Sequence, residues 1–243
     1  MEGPKAVAGN NSPSAGANTG GSSSGTGGSD AGGTGSAMLP EGVPLTATDG
    51  WVAADSNALG VQGAMFAYAD DTSKMGMTED FLAANACIKG TAAKVDLMCT
   101  FVAPATDCYG QFWGAAIGLN LNQPTVMMDG MEVGGDPIAF DASALTGFAF
   151  EISGAAVPLS LRFKVEDASG EFCSPATKKV APGANTFLFE DLVSECWEMN
   201  AATMNPNAAT AKSGIIKIAW QVVTNAMGAV PFDYCVSNVR ALQ

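Results

Sequence analysis

The chain has 243 residues, of which 24 are acidic, 11 are basic and none is histidine, giving a formal net charge of −13 at pH 7. That balance argues against nucleic acid and anionic membrane surfaces as partners. The missing imidazole removes Ser-His-Asp and Cys-His catalysis and His-ligated zinc.

Residues 1–38 read as a disordered low-complexity tether. From Glu2 to Ala37 the chain is mostly Gly, Ser, Ala, Asn and Thr, with three charges (Glu2, Lys5 and Asp30) and no aromatic residue. Such a segment has too little apolar surface to offset its ordering entropy. As a flexible coil its root-mean-square reach is about 30–36 Å. Met1-Glu2-Gly3 lacks the basic and apolar regions of an export signal. The numbering is therefore expected to describe a mature or recloned form, with the tail available as an anchor. No apolar run approaches the roughly 20 residues of a membrane span.

The body, residues 39–243, is long enough for one sandwich or barrel, and it reads as β throughout. The candidate strands, in chain order, are Gly60–Ala69, Ala93–Ala103, Phe112–Asn122, Phe148–Ile152, Leu159–Glu166, Asn185–Leu192, Ile215–Thr224 and Tyr234–Leu242. Leu159–Glu166 is the clearest, apolar at 159, 161, 163 and 165 and polar between. A break beginning at Ser153-Gly154 precedes it. Turn clusters fall at Asp70–Ser73, Gly134–Pro137 and Ala181–Gly183. Thr78–Ala86 is a candidate short helix, with Thr78 as N-cap and Phe81 and Leu82 facing inward. With no sustained 3.6-residue period, the pattern predicts an all-β, antiparallel sandwich or barrel.

The six cysteines are Cys87, Cys99, Cys108, Cys173, Cys196 and Cys235. An even number allows a fully paired framework with 15 connectivities. No C-x-x-C occurs, which argues against a zinc ribbon or a thioredoxin-type site. Three disulfides are expected, as in an exported domain. Cys173–Cys196 flank one hairpin-like excursion and form the best pair. Cys87, Cys99, Cys108 and Cys235 must supply the other two bridges, in an order the spacing leaves open.

Two groups of residues bear on chemistry. Glu151 and Glu166 alternate out of phase with the apolar face of their strands, so they are expected to share the non-core face. There they are either solvated strand residues or the carboxylate pair of a glycosidase. Trp51, Trp113, Trp197 and Trp220, with Tyr68, Tyr109 and Tyr234, supply flat rings with a polar handle, the surface on which sugars stack. Trp220, in phase with Ile216, Ile218 and Val222, reads as core. Trp197 follows Cys196 and is expected to pack on its disulfide. The run Tyr109-Gly-Gln-Phe-Trp113 crowds a loop after Cys108, either as an exposed platform or as a core plug. Arg162 lies on the polar phase of its strand and is suited to a hydroxyl or a carboxylate.

Several segments also carry a resemblance. Phe112-Trp-Gly-Ala-Ala-Ile-Gly-Leu-Asn-Leu-Asn122 looks like the "WGAGIGFNL" strand of bacterial secreted jelly-roll domains. Phe140-Asp-Ala-Ser-Ala-Leu-Thr-Gly-Phe-Ala-Phe150 resembles their "YDASAYTGISF" segment. Pro231–Val239 resembles their closing strand, and Asp49 to Tyr68 their opening one. The resemblance covers most of Asp49–Leu242 and implies a galactose-binding-like β-sandwich, a group that includes many carbohydrate-binding modules. It also implies a structural calcium between first and last strands, with Asp70, Asp71, Asp233 and Asn238 as contributors. Asn238 stands where the final strand usually holds Asp.

The sequence thus reads as a tethered two-sheet jelly roll, extracellular or at the cell surface. It is expected to bind a polysaccharide through Tyr109, Trp113, Trp51 and Arg162, with no catalytic centre of its own. Two alternatives remain: a glycoside hydrolase or lyase using Glu151 and Glu166, and a structural or adhesive surface subunit.

Overall fold

The computed structural model describes residues 38–81, 85–100, 107–168, 170–194, 196, 212 and 214–243. The tether expected over 1–38 therefore lies outside the described residues, Met38 apart, and so does Trp197.

In chain order the strands are β1 (Val43–Pro44), β2 (Trp51–Val52), β3 (Gly63–Ala69), β4 (Thr78–Asp80), β5 (Ala86–Ala92), β6 (Ala115–Asn120) and β7 (Thr125–Met128). They continue with β8 (Met131–Gly134), β9 (Gly147–Ala156), β10 (Leu161–Asp167), β11 (Glu171–Cys173), β12 (Gly183–Leu188), β13 (Ile215–Val222) and β14 (Val230–Leu242). Two single-turn helices intervene, α1 (Asp71–Lys74) and α2 (Cys108–Gln111). The first sheet runs β12-β9-β14-β5-β4, with β1 beside β14. The second runs β11-β10-β13-β6-β3-β2, and β7-β8 form a separate hairpin. All pairings between these strands are antiparallel. The expected two-sheet antiparallel sandwich is the fold.

The core forms where alternate residues of the two sheets face each other. Phe148, Phe150 and Phe187 of the first sheet meet Phe163 and Trp220 of the second; Phe150 lies 5.1 Å from Phe163 and edge-on to Trp220 at 5.3 Å, between ring centroids. Each such ring contributes about 1.5–3 kcal/mol by leaving water. Tyr234 is fully buried among them, and its hydroxyl donates to the Trp220 carbonyl at 2.7 Å. Trp220 is core, as its phase required.

Several local expectations are corrected. The Thr78–Ala86 segment does not begin as a helix: Thr78–Asp80 is an edge strand paired to β5, and Leu82 lies outside the described residues. The strand expected at Ala93–Ala103 lies just upstream as β5, whose Cys87 stands directly opposite Cys235 on β14, and residues 101–103 of that expectation lie outside the described residues. The break at Ser153-Gly154 does not end β9. Gly154 takes φ +137° there, and a Cβ would sit 2.2 Å from the Asp233 carbonyl oxygen, so glycine lets β9 continue through a register shift against β14. Leu159, assigned to the apolar face, lies before β10 and is 85% exposed.

The three disulfides are Cys87–Cys235, Cys99–Cys108 and Cys173–Cys196. Cys173–Cys196 is the expected pair. The sheet register decides the pairing of Cys87.

Candidate functional site

Antiparallel partners project to the same side of a sheet, so the register of the second sheet maps its outer face row by row. One row reads Tyr68, Ala116, Gln221, Arg162 across β3, β6, β13 and β10. The next reads Phe66, Gly118, Ala219, Lys164, Cys173, ending on β11. A third reads Asn120, Lys217, Glu166, Glu171. Trp51 on β2 pairs with Ala64 on the same side. Small residues thus floor the centre, aromatic rings stand along β2 and β3, and charges stand along β10 and β11.

The two margins meet above the floor. The Phe66 ring lies over Gly118, where a Cβ would come within 2.8 Å of it. The Phe66 and Tyr68 rings are 5.4 Å apart. Lys217 reaches over both, its Nζ 4.6 Å from the Tyr68 centroid and 6.0 Å from that of Phe66. The Tyr68 hydroxyl donates to Glu166 Oε1 at 3.3 Å. Glu166 also pairs with Lys164 at 3.4 Å and Lys217 at 3.0 Å, and Lys164 with Glu171.

Burial alone would push the Glu166 carboxyl up, but the Lys164 and Lys217 ammonium groups outweigh it and hold the carboxyl below the usual range. Burial, then the Glu166 charge, pushes the Tyr68 hydroxyl well above its ordinary value. Glu166 is therefore a fixed anion near neutrality, suited to holding neighbours and unsuited to delivering a proton. Burial also lowers the Arg162 guanidinium pKa, opposed by the charge of Glu171.

Trp113 joins this face through its backbone. Gln221 Nε2 donates to its carbonyl at 2.9 Å, and Thr224 Oγ1 to that of Phe112 at 2.6 Å. The Gly114 N–H donates to Asp70 Oδ2 at 2.6 Å. Gly114 takes φ +106°, and a Cβ would lie 1.9 Å from the Val222 carbonyl oxygen, so only glycine fits. The fixed loop sets the half-buried Trp113 ring 5.4 Å from that of Tyr68. Trp113 is thus neither a free platform nor a core plug, but one wall of the outer face.

No family model and no curated protein matches this chain in sequence. Solved structures similar to it include a family 11 carbohydrate-binding module of the cellulosomal cellulase Lic26A-Cel5E of Clostridium thermocellum, at 10% identity and a TM-score of 0.41. That match covers 73% of this chain and 86% of the module. Two others are a protein named PfGH50B (11% identity, TM-score 0.38) and an exo-β-agarase (12%, 0.35). They match 74% and 84% of this chain, which spans 23% of the length of each. At such identities and TM-scores these likenesses are distant.

Of the expected ligand-binding residues, Trp51, Trp113 and Arg162 fall on this face, while Tyr109 projects from α2 and is exposed. Glu151 and Glu166 do not share a face. Glu151 stands on the outer side of the first sheet, paired in register with Ser237 and accepting from Asn238 Nδ2 at 2.7 Å. The two carboxylates lie on opposite outer sides of a sandwich whose sheets pack about 10 Å apart. They cannot flank one glycosidic bond.

Three of the four residues named for calcium, Asp70, Asp233 and Asn238, have other partners. Asp70 caps α1, accepting from the Ser73 N–H and the Thr72 hydroxyl at 2.7 Å each in addition to Gly114. Asp233 pairs with Lys89 at 3.0 Å, and Asp71 is exposed. Among the described residues no three Asp, Glu, Cys or His side chains group to hold a metal. The donor set does not fit a calcium ion.

Sequence reasoning missed Phe66, Lys164 and Lys217 as site residues, and named Tyr68 only among the candidate rings without placing it in the site. In β3 the small residues Ala67 and Ala69 face the core and the large rings face out, the reverse of the usual signal. Gly118, small enough to let a ring lie flat on a strand, was the available clue.

Proposed function

We propose that the chain is a non-catalytic, extracellular glycan-binding domain of galactose-binding-like type that reads its ligand on the outer face of the second sheet. The observation that carries this reading is the register itself. It lines one margin with Trp51, Phe66 and Tyr68, which the Trp113 loop joins, and the other with Arg162, Lys164, Glu166 and Glu171. Stacking takes the apolar face of a sugar ring, and fixed charges take hydroxyls. Three disulfides suit an oxidising compartment.

A glycan array followed by calorimetry tests it. Affinities in the millimolar to micromolar range, about −4 to −8 kcal/mol, are expected. Trp113→Ala and Tyr68→Ala should each weaken binding at least tenfold while the chain stays folded. Binding unchanged in both variants would refute the reading.

A surface assembly subunit is the second reading, favoured by the β7–β8 hairpin. Its Met127, Met128 and Met131 are 70%, 46% and 59% exposed, an apolar display rare on monomers. Sedimentation run beside the array separates the two.

A further inference from the structure

The five ion pairs among the described residues use Lys89, Lys164, Lys178 and Lys217 as their cations. Arg162 takes part in none of them, although it is half-buried, and the charge of Glu171 only opposes the effect of its burial without forming an ion pair with it. Partly burying an uncompensated guanidinium is unfavourable unless an anion reaches it. Beside it opens a cavity of about 290 Å³, lined by Leu159, Ser160, Arg162, Ser174, Pro175 and Lys179 among others. Lys179 is exposed and supplies a second cation outside the ion pairs. The Ser174 hydroxyl already accepts the Phe163 N–H at 3.1 Å, which leaves its own proton to be donated. Leu159, 85% exposed at the mouth, offers an apolar contact.

From these observations we infer that this cavity seats the carboxylate of an acidic sugar residue, held between Arg162 and Lys179. The inference rests on the glycan-binding reading and narrows its ligand. Arg162 ends the row that begins with Tyr68, three strand spacings or about 14 Å away. One ligand chain can therefore stack at Tyr68 and Trp113 and place a uronate at Arg162. The planar fork of arginine matches a carboxylate in two parallel hydrogen bonds. The net charge of −13 sets the ligand's character. Long-range repulsion opposes a uniform polyanion, but at physiological salt it is screened beyond about 8 Å. A single carboxylate on an otherwise neutral glycan feels chiefly the two cations.

The test is a titration of the ¹⁵N-labelled chain, followed at the backbone amide resonances around the cavity in every variant and, where Arg162 is present, at its Nε–H resonance. The probes are methyl β-D-glucuronopyranoside, its uncharged methyl ester, and acetate. The glucuronoside should bind at least tenfold more tightly than the ester and several-fold more tightly than acetate. Its advantage over the ester should shrink as salt rises from 20 to 200 mM. Arg162→Gln should abolish the preference for the acid. Lys179→Gln, at an exposed position where folding is not at stake, should reduce it severalfold. Equal binding of acid and ester, or a preference that survives both substitutions, overturns the inference. Acetate binding as tightly as the glucuronoside also overturns it, leaving a site for small anions only. Array binding that depends on Tyr68 but shows no preference for acids would sink this inference alone and leave the glycan-binding reading standing.

Discussion

The two outer faces of the sandwich both belong to antiparallel sheets packed on one core, yet they are chemically unlike. On the first sheet the outward positions carry Ala149, Glu151 and Ser153 of β9, Thr186 of β12, Lys89 of β5 and Asp233 of β14, with no aromatic ring among them. The contacts there are short and local: Lys89 with Asp233, Glu151 with Asn238, and the cross-strand Cys87–Cys235 bridge. On the second sheet the outward positions hold three rings, Trp51, Phe66 and Tyr68, and a chain of alternating charges that the last two rings join across four strands. A solvated face needs little from its sequence beyond polarity. A face where rings and charges are partly withdrawn from water needs each charge balanced, because an unbalanced one is costly at low local dielectric. The difference is what the proposed division of labour rests on, with fold maintenance on the first face and recognition on the second.

The largest effect expected from breaking this division is on the first face. Replacing both Cys87 and Cys235 by Ser removes a bridge spanning a sequence separation of 148. The chain-entropy argument puts the loss at about 5 kcal/mol. Chemical denaturation should register most of it, while glycan affinity at temperatures where the chain remains folded stays within twofold. A parallel loss of affinity would mean that the two faces are not separate.

A smaller effect belongs to the second face. The folded-state pKa of Glu166 is depressed, so its contribution to stability is present above the pKa of an unfolded glutamate, about 4.3. That contribution is lost as pH falls from there through the folded value. Glu166→Gln leaves Lys164 and Lys217 short of a partner and should cost about 1–3 kcal/mol at pH 7, discounted for partial exposure. It should also flatten the decline in melting temperature below about pH 4.5. An acid limb as steep as in the parent would show that other carboxylates govern it.

The smallest change is predicted for Glu151→Gln. Its partner Asn238 is exposed, so stability should move by less than about 0.5 kcal/mol and glycan binding not at all. A strong loss of binding would shift the site to the first face.

Some of this molecule was legible in its residues. Period-2 alternation in Leu161–Val165 and Ile218–Val222 places Phe163 and Trp220 in the core, because a strand with one buried face must put its apolar set on that side. The spacing of Cys173 and Cys196 likewise marked a local excursion that the bridge closes. What only the tertiary structure decided is which strands lie side by side. Glu151 and Glu166 have the same phase relative to their own strands, and nothing local says that β9 and β10 belong to different sheets. Tyr68 and Arg162 stand 94 positions apart in the numbering, and they share a row only because β6 and β13 lie between them. Local sequence sets which way a side chain points relative to its own backbone. Its neighbours across the sheet are set by long-range pairing, whose register is fixed by the whole core at once.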